Sequence, residues 1–375
     1  MKIMTILGTR PEIIRLSRVI PLLDQHATSH VLVHTGQNFD ERLSGLFFEE
    51  LRIRQPDVHL SVNSSQTGGQ IGQILSRIED ALLKFRPDRI LILGDTNSGL
   101  SAIMARRFGI PVYHMEAGNR CFDDRVPEEV NRRIIDHCST VLMPYTERSR
   151  QNLLREGLAG ENIFVTGNPI KEVLDHYDPE ISASEALADL ELTDGEFFLV
   201  TMHRSENVDV PERLNALVTA LERLTSEYGY PVICSFHPRT QAKVLQFGID
   251  IQRAGLRFID PLGFFDFIKL EKSAFCLLSD SGTVQEEGCL FQVPNVTLRD
   301  VTERPETLEC GSNILAGCDP DQVLSLVDFV TTGDRDWSVP PEYLTDNVAN
   351  TVTRIVLGYR TGDLAGRDWL SGAKP

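Results

Sequence analysis

At 375 residues the chain is long enough for two α/β domains and exceeds the size at which a single hydrophobic core keeps growing. Hydrophobic residues make up 41% and charged residues 24%, the usage of an ordinary globular protein. The 54 Asp and Glu against 37 Lys and Arg leave a formal charge of −17, which excludes a general nucleic-acid binder and a protein held on an anionic membrane surface. A diphosphate stays admissible as a ligand, if local arginines and helix N-termini supply the positive potential. The seven cysteines form no CxxC pair and are odd in number. Neither a disulfide framework nor a zinc cluster is expected, and a reducing, cytoplasmic setting fits. The start, MKIMTILGTRPE, reads as a strand running into a loop rather than a signal peptide. No run approaches the about 18 apolar residues of a membrane span.

Short apolar runs then alternate with helical patterns. KIMTIL (2–7), HVLVHTG (30–36), DRILILGD (88–95), PVYHME (111–116), STVLMPY (139–145) and IFVTGNP (163–169) read as buried strands. Between them, EIIRLSRVIPLLDQ (12–25), QIGQILSRIEDALLKF (70–85) and EEVNRRIIDHCS (128–139) are amphipathic helices. This alternation predicts a parallel, doubly wound sheet. It pauses over the polar KEVLDHYDPEISASEALADLELTDGE (171–196), of which the acidic, helix-prone DPEISASEALADLELTDGE (178–196) is taken as a solvated connecting segment. It resumes with FFLVTMH, PVICSFH, RFIDPL, FCLLSD and NVTLRD. The expectation is an α/β chain of two Rossmann-like domains, 1–168 and 169–358, with a C-terminal helix near 359–375 packing back on the first.

Ligands of open α/β sheets sit beyond the carboxyl ends of the strands, so the residues following each apolar run are the informative ones. Gly8-Thr9-Arg10-Pro11-Glu12 permits a tight turn, and Arg10 can reach a crevice; the plainer alternative is a surface charge on a βα turn. The string is not GxGxxG, so it gives NAD(P) no support. Asp95, in Gly94-Asp95-Thr96-Asn97-Ser98, is either catalytic or part of a run of helix-capping residues. Glu116 ends the next strand, and Glu128 and Glu129 open a helix. Carboxylates in distinct environments suit acid/base chemistry on two faces of a sugar. The alternatives are dipole stabilisation for Glu128 and Glu129, and an ion pair with Arg120 or Arg132 for Glu116. His203-Arg204-Ser205-Glu206-Asn207 suits a phosphate, and His237 repeats the pattern one strand later. Ser279-Asp280-Ser281-Gly282-Thr283 leads into a helix whose N-terminus is a ready anion site, with Glu286 or Glu287 placed for ribose hydroxyls. Arg304, in Glu303-Arg304-Pro305-Glu306, adds a further arginine. No spacing suggests a metal site, and GxSxG and GxxxxGK[ST] are absent.

Taken together, GTRPE, HTGQN, LGDTNS, HMEAGNR, VPEEVNRR, VTGNP, MHRSEN, HPRT, PLGFFDF, SDSGTVQEE and ERPE resemble, in order and over essentially the whole chain, the non-hydrolysing UDP-N-acetylglucosamine 2-epimerase family. The resemblance implies a glycosyltransferase-B-like fold with two Rossmann-like domains facing a central cleft, a UDP-sugar substrate, no cofactor, and a homodimer. It implies anti elimination of UDP to a 2-acetamidoglycal and re-addition to the other face of C2. Asp95, Glu116 and Glu128 become the candidate acid/base carboxylates, and His203 lies by the diphosphate. Arg10, Ser281 and Gly282 hold phosphates, Glu287 the ribose, and Phe264 or Phe265 lies near uracil. Arg204, Glu206, Asn207, His237, Thr283 and Arg304 complete the expected nucleotide-sugar contacts. The short NRCFDDRVPEE segment, Arg15 and the SGT turn look more like the subgroup that converts the L-talo sugar to UDP-N-acetyl-L-fucosamine for surface polysaccharide. HTGQNFDERLSG lacks a second glutamine-bearing pattern, which argues against allosteric activation. Alternatives are a UDP-N-acetylglucosamine/UDP-N-acetylmannosamine 2-epimerase and a UDP-sugar glycosyltransferase of the same fold.

Overall fold

In a computed structural model, which describes residues 1–37, 41–64, 66–236, 238–251, 255–333 and 335–359, the chain forms two compact units. The first carries β1 (Lys2–Leu7), β2 (Ser29–His34), β3 (Val58–His59), β4 (Arg89–Leu93), β5 (Val112–Met115) and β6 (Val141–Met143). These pair in parallel in the order β3-β2-β1-β4-β5-β6, the order of a dinucleotide-type Rossmann sheet. Their Ile, Leu and Val side chains are buried on both faces by helices, which explains the unbroken apolar runs.

The second unit repeats the plan with β7 (Phe198–Met202), β8 (Val232–Phe236), β9 (Leu256–Ile259), β10 (Cys276–Ser279), β11 (Asn295–Thr297) and β12 (Asn313–Leu315). Its order is β12-β11-β10-β7-β8-β9, again parallel. The strand order reverses between β1 and β4 in the first unit and between β7 and β10 in the second. At such a switch point the loops splay apart and leave room for a ligand.

Several expectations need correction. The stretch 12–25 forms two helices, Arg10–Leu16 and Val19–His26, because Pro21 has no N–H to offer the preceding turn. IFVTGNP is not a strand; only Ile163 bridges, to Leu142. The domain boundary lies at Asp175/His176 rather than 168/169, and the chain from Pro341 returns to the first unit. The reason is local packing. Ile170, Val173 and Leu174 are buried, Glu172 accepts from the Ala349 N–H at 2.9 Å, and the helix Val348–Gly358 buries Val348, Ala349, Val352 and Val356. Arg89 donates to the Val356 carbonyl. The segment 178–196 is not merely solvated, since Ala186, Leu187, Leu190 and Leu192 pack with Phe197, Leu199 and Leu277. The helix expected near 359–375 lies outside the described residues beyond Tyr359, as does His237. Among the described residues no helix is long and apolar enough to cross a membrane.

Candidate active site

The Gly8 turn, Asp95 and Glu116 follow β1, β4 and β5, three adjacent strands of the first sheet. Gly8 sits so close to its neighbours that a Cβ there would lie 2.1 Å from Thr35 Oγ1 and 2.2 Å from Ser98 Oγ. Glu12, on the helix that follows, is buried and reaches back to this turn. One carboxylate oxygen accepts from the Gly8 and Thr9 N–H groups at 2.6 and 2.7 Å, and the other accepts from Thr96 Oγ1 at 2.7 Å. Burial pushes its acid up to about 7, against the downward pull of Thr96 and the two N–H groups. Glu12 therefore ties the first turn to the residue beside Asp95. Arg10 leaves the same turn with its guanidinium 5.7 Å from the Phe47 ring centroid.

Asp95 is held by two nitrogens of Arg132, Nε at 2.8 Å and Nη2 at 2.7 Å, both on Oδ2, a two-pronged grip on one carboxylate oxygen. Asn131 donates to the Asp95 carbonyl at 3.0 Å. Both partners come from the helix Pro127–Cys138, which also presents the half-buried Glu128 in its first turn. Glu129 is a buried anchor. It accepts from the Cys121 and Phe122 N–H groups and from Arg132 at 2.8 Å. Although burial works the other way, the Cys121 N–H and Arg132 hold its acid below the usual range.

Glu116 extends the β5–β6 ladder through its N–H to the Met143 carbonyl, 3.1 Å, and takes a left-handed φ of 64°, a strained conformation for a non-glycine. Its carboxylate is buried beside Arg15, 3.6 Å away, and accepts from Asn119 at 3.3 Å. Arg120 and Arg132, the partners in the alternative ion-pair reading, are engaged elsewhere. Arg120 pairs with Asp136 at 2.8 Å and Glu156 at 2.6 Å. Asp136 in turn bonds His114 at 2.8 Å, whose other nitrogen faces the Gly94 carbonyl at 2.8 Å. A buried polar frame thus supports the turn that carries Asp95.

In the second unit the turns after β7, β10 and β11 are adjacent. Asp280, fully buried, organises the first two. It accepts from the His203 and Arg204 N–H groups at 3.0 and 2.9 Å, and from Asn207 Nδ2 at 3.1 Å. Its Oδ1 also lies 3.2 Å from His203 Nδ1. The imidazole is thereby oriented while 43% of its side chain stays exposed. Asn207 is fully buried and its amide also donates to the Leu298 carbonyl at 2.8 Å, so it braces the rim. Glu206 accepts from the buried Arg299 at 3.0 Å, which also pairs with Glu303 at 2.8 Å.

Ser281 caps the helix Gly282–Phe291. Its N–H donates to Ser279 Oγ at 2.9 Å, and its hydroxyl meets that of Thr283 at 3.1 Å. Arg304 is buried, with Nε on Glu286 Oε1, and its guanidinium carbon would lie 3.7 Å from a Cβ on Gly282. It lies close behind the Gly282 turn. Glu287 is almost fully buried one turn further on. Phe264 and Phe265 start the helix Phe264–Ser273 and cluster with Tyr177 at ring-centroid separations of 6.3 and 5.6 Å. Glu12, Arg132, Asp280 and Arg299 were not singled out from sequence as site residues. Glu12 and Asp280 carry a signal, their places in the strand-ending GTRPE and SDSG strings.

A family model described as UDP-N-acetylglucosamine 2-epimerase matches residues 22–357. The chain belongs to this family. It is a UDP-sugar 2-epimerase, an isomerase. The UDP-N-acetylglucosamine 2-epimerase of Methanococcus maripaludis is 40% identical over 364 residues, 95% of this chain and 98% of that one. The UDP-2,3-diacetamido-2,3-dideoxy-D-glucuronate 2-epimerase of Pseudomonas aeruginosa is 38% identical over 328 residues, 86% and 90% of the two chains. The crystal structure of Methanocaldococcus jannaschii UDP-GlcNAc 2-epimerase in complex with UDP-GlcNAc and UDP superposes with a TM-score of 0.90 at 39% identity, covering 95% of this chain and 99% of that one. The architecture of this epimerase is glycosyltransferase-B-like.

Proposed function

We propose that this epimerase inverts C2 of a UDP-2-acetamido sugar by eliminating UDP and adding it back. The observation that carries the reading is the row of strand-end carboxylates in the first unit, Asp95 gripped by Arg132 and Glu116 held by Arg15, with Glu128 on the helix that supplies Arg132. The C2 proton is not beside a carbonyl, so it becomes acidic only as the C1–O bond to the diphosphate breaks and positive charge builds at C1. The electron pair of that bond leaves with UDP. A carboxylate takes the C2 proton as the C1–C2 double bond forms, giving a 2-acetamidoglycal. A second carboxylate, an acid at this stage, returns a proton to C2 from the opposite face while a diphosphate oxygen reattaches at C1. No net redox change occurs, so the route needs no redox cofactor.

His203, oriented by Asp280, assists departure of the diphosphate. Arg10, Arg204, Ser281, Gly282 and Thr283 take phosphate oxygens, and a helix N-terminus with free N–H groups favours them. Glu287 takes the ribose, and Phe264 and Phe265 flank the base. Glu206, Asn207 and Arg304 act from behind, as their burial and internal bonds suggest. For the sugar we propose UDP-2-acetamido-2,6-dideoxy-L-talose, converted to UDP-N-acetyl-L-fucosamine for surface polysaccharide. Its support is the short segment before Glu128, Arg15 beside Glu116, and the SGT turn. The relatives' names favour a second reading, interconversion of UDP-N-acetylglucosamine and UDP-N-acetylmannosamine. The enzyme is proposed to work as a cytoplasmic homodimer. Incubating it with each UDP-sugar alone in deuterated water, followed by proton NMR, tests the reading. Deuterium at C2 without any acceptor is expected, and the sugar that exchanges fastest names the substrate. Inertness until an acceptor is added would mark a glycosyltransferase instead.

A further inference from the structure

The helices Phe264–Ser273 and Gly282–Phe291 pack side by side in the second unit. From the first, Glu271 points into their contact and is fully buried; from the second, Glu287 is 4% exposed. Among the described residues no N–H or hydroxyl donor reaches either oxygen of Glu271. The group that faces its carboxyl is the carboxyl of Glu287. Two carboxyl groups bond only if a proton lies between them, since two carboxylates at that distance repel and neither offers a donor.

We propose that Glu271 is a positioning residue, a neutral acid whose O–H holds the Glu287 carboxylate and aims its remaining lone pairs at the ribose diol of the nucleotide. This rests on the reading of Glu287 as the ribose contact. The direction of titration agrees: burial first, then the neighbouring carboxylate, push Glu271 well above the usual carboxylic-acid range. A neutral donor leaves Glu287 its charge, and a charged acceptor makes the stronger bonds to hydroxyls. A carboxylate pinned on one side also loses less rotamer freedom when the diol arrives. The consequence is discrimination: a nucleotide lacking one ribose hydroxyl leaves a buried, oriented acceptor unpaired.

The test measures dissociation constants of UDP and 2′-deoxy-UDP by calorimetry, for the wild-type enzyme and for E287A, E271L, E271M and E271Q. The wild type is expected to prefer UDP by about tenfold, the scale of one lost hydrogen bond to a charged group. E287A should erase the preference. E271L and E271M, which remove the donor but fill the space, should cut it at least about threefold, and E271Q, whose amide still donates, should keep it within about twofold. Leucine and methionine are both included because one of them can misfold at this packed contact. If a folded E271L or E271M keeps the wild-type preference while E287A loses it, or if E271Q behaves like E271L, the positioning role is wrong although the ribose contact stands. If E287A itself keeps the preference, Glu287 does not take the ribose, and both ideas fall.

Discussion

Replacing Glu12 with glutamine separates burial from hydrogen bonding at the turn beside Asp95. The Glu12 acid rises from 4.5 to about 7 on folding, so the folded chain binds this proton more tightly than the unfolded chain does. Stability from this group is therefore fully present below pH 4.5 and is lost as pH climbs through about 7. Integrating between those two values, wild-type protein loses about 2.5 kcal/mol from Glu12 alone between pH 5 and pH 8. In E12Q the side-chain oxygen still accepts from Gly8 and Thr9, and the amide donates to a rotated Thr96 hydroxyl, with nothing to titrate. Urea unfolding of both proteins at pH 5 and pH 8, followed by far-UV circular dichroism, isolates the effect, because every other titrating group cancels in the difference. With two units the comparison is made within the first unit's own transition. E12Q should gain about 2.5 kcal/mol on the wild type across that range. Parallel pH profiles would refute the reasoning and mean that the short N–H bonds at 2.6 and 2.7 Å outweigh burial and keep Glu12 ionised.

Three further outcomes follow from the same contacts. Arg132→Lys exchanges a two-pronged grip on Asp95 for a single point charge, and turnover read by C2 exchange should fall by about 10- to 100-fold with the circular dichroism spectrum unchanged. Asp280→Asn sets an amide NH2 against three donors and should lower the stability of the second unit by about 2–3 kcal/mol, seen as a lower unfolding midpoint that excess UDP only partly restores. Gly8→Ala drives a methyl group to within 2.2 Å of two hydroxyl oxygens, and thermal unfolding should show a loss of about 1–3 kcal/mol.

The sheet plan was legible because a strand buried on both faces must be apolar without alternation, as in KIMTIL and RILIL. What escaped notice was short and at the edge: β3, two residues long, and β12, three. IFVTGNP failed as a strand because a turn at Gly167 and a proline at 169 follow so closely that only Ile163 pairs. The return of the helix Val348–Gly358 to the first unit had no local signal, since its apolar stripe fits any sheet and only contacts such as Arg89 with Val356 decide. At the candidate site the strand-end rule singles out Asp95, Glu116 and His203. It did not find the groups that orient them. Arg132 lies 37 positions from Asp95, and Asp280 lies 77 from His203; such pairings are set by strand order, which no periodicity encodes. An ion pair with Arg120 or Arg132 was the alternative reading of Glu116, yet the partner is Arg15, from the helix after β1, the strand two places away in the sheet.

The central claim is that the C1–O bond breaks and re-forms while the C2 proton is exchanged. A UDP-sugar labelled with oxygen-18 in the bridge between C1 and the diphosphate, incubated with enzyme in deuterated water, follows both events in one phosphorus and proton NMR record. The account predicts that the label moves to non-bridging positions of the β-phosphate and that deuterium enters C2, both falling together in Asp95→Asn. Inversion at C2 with the label still wholly in the bridge would contradict it.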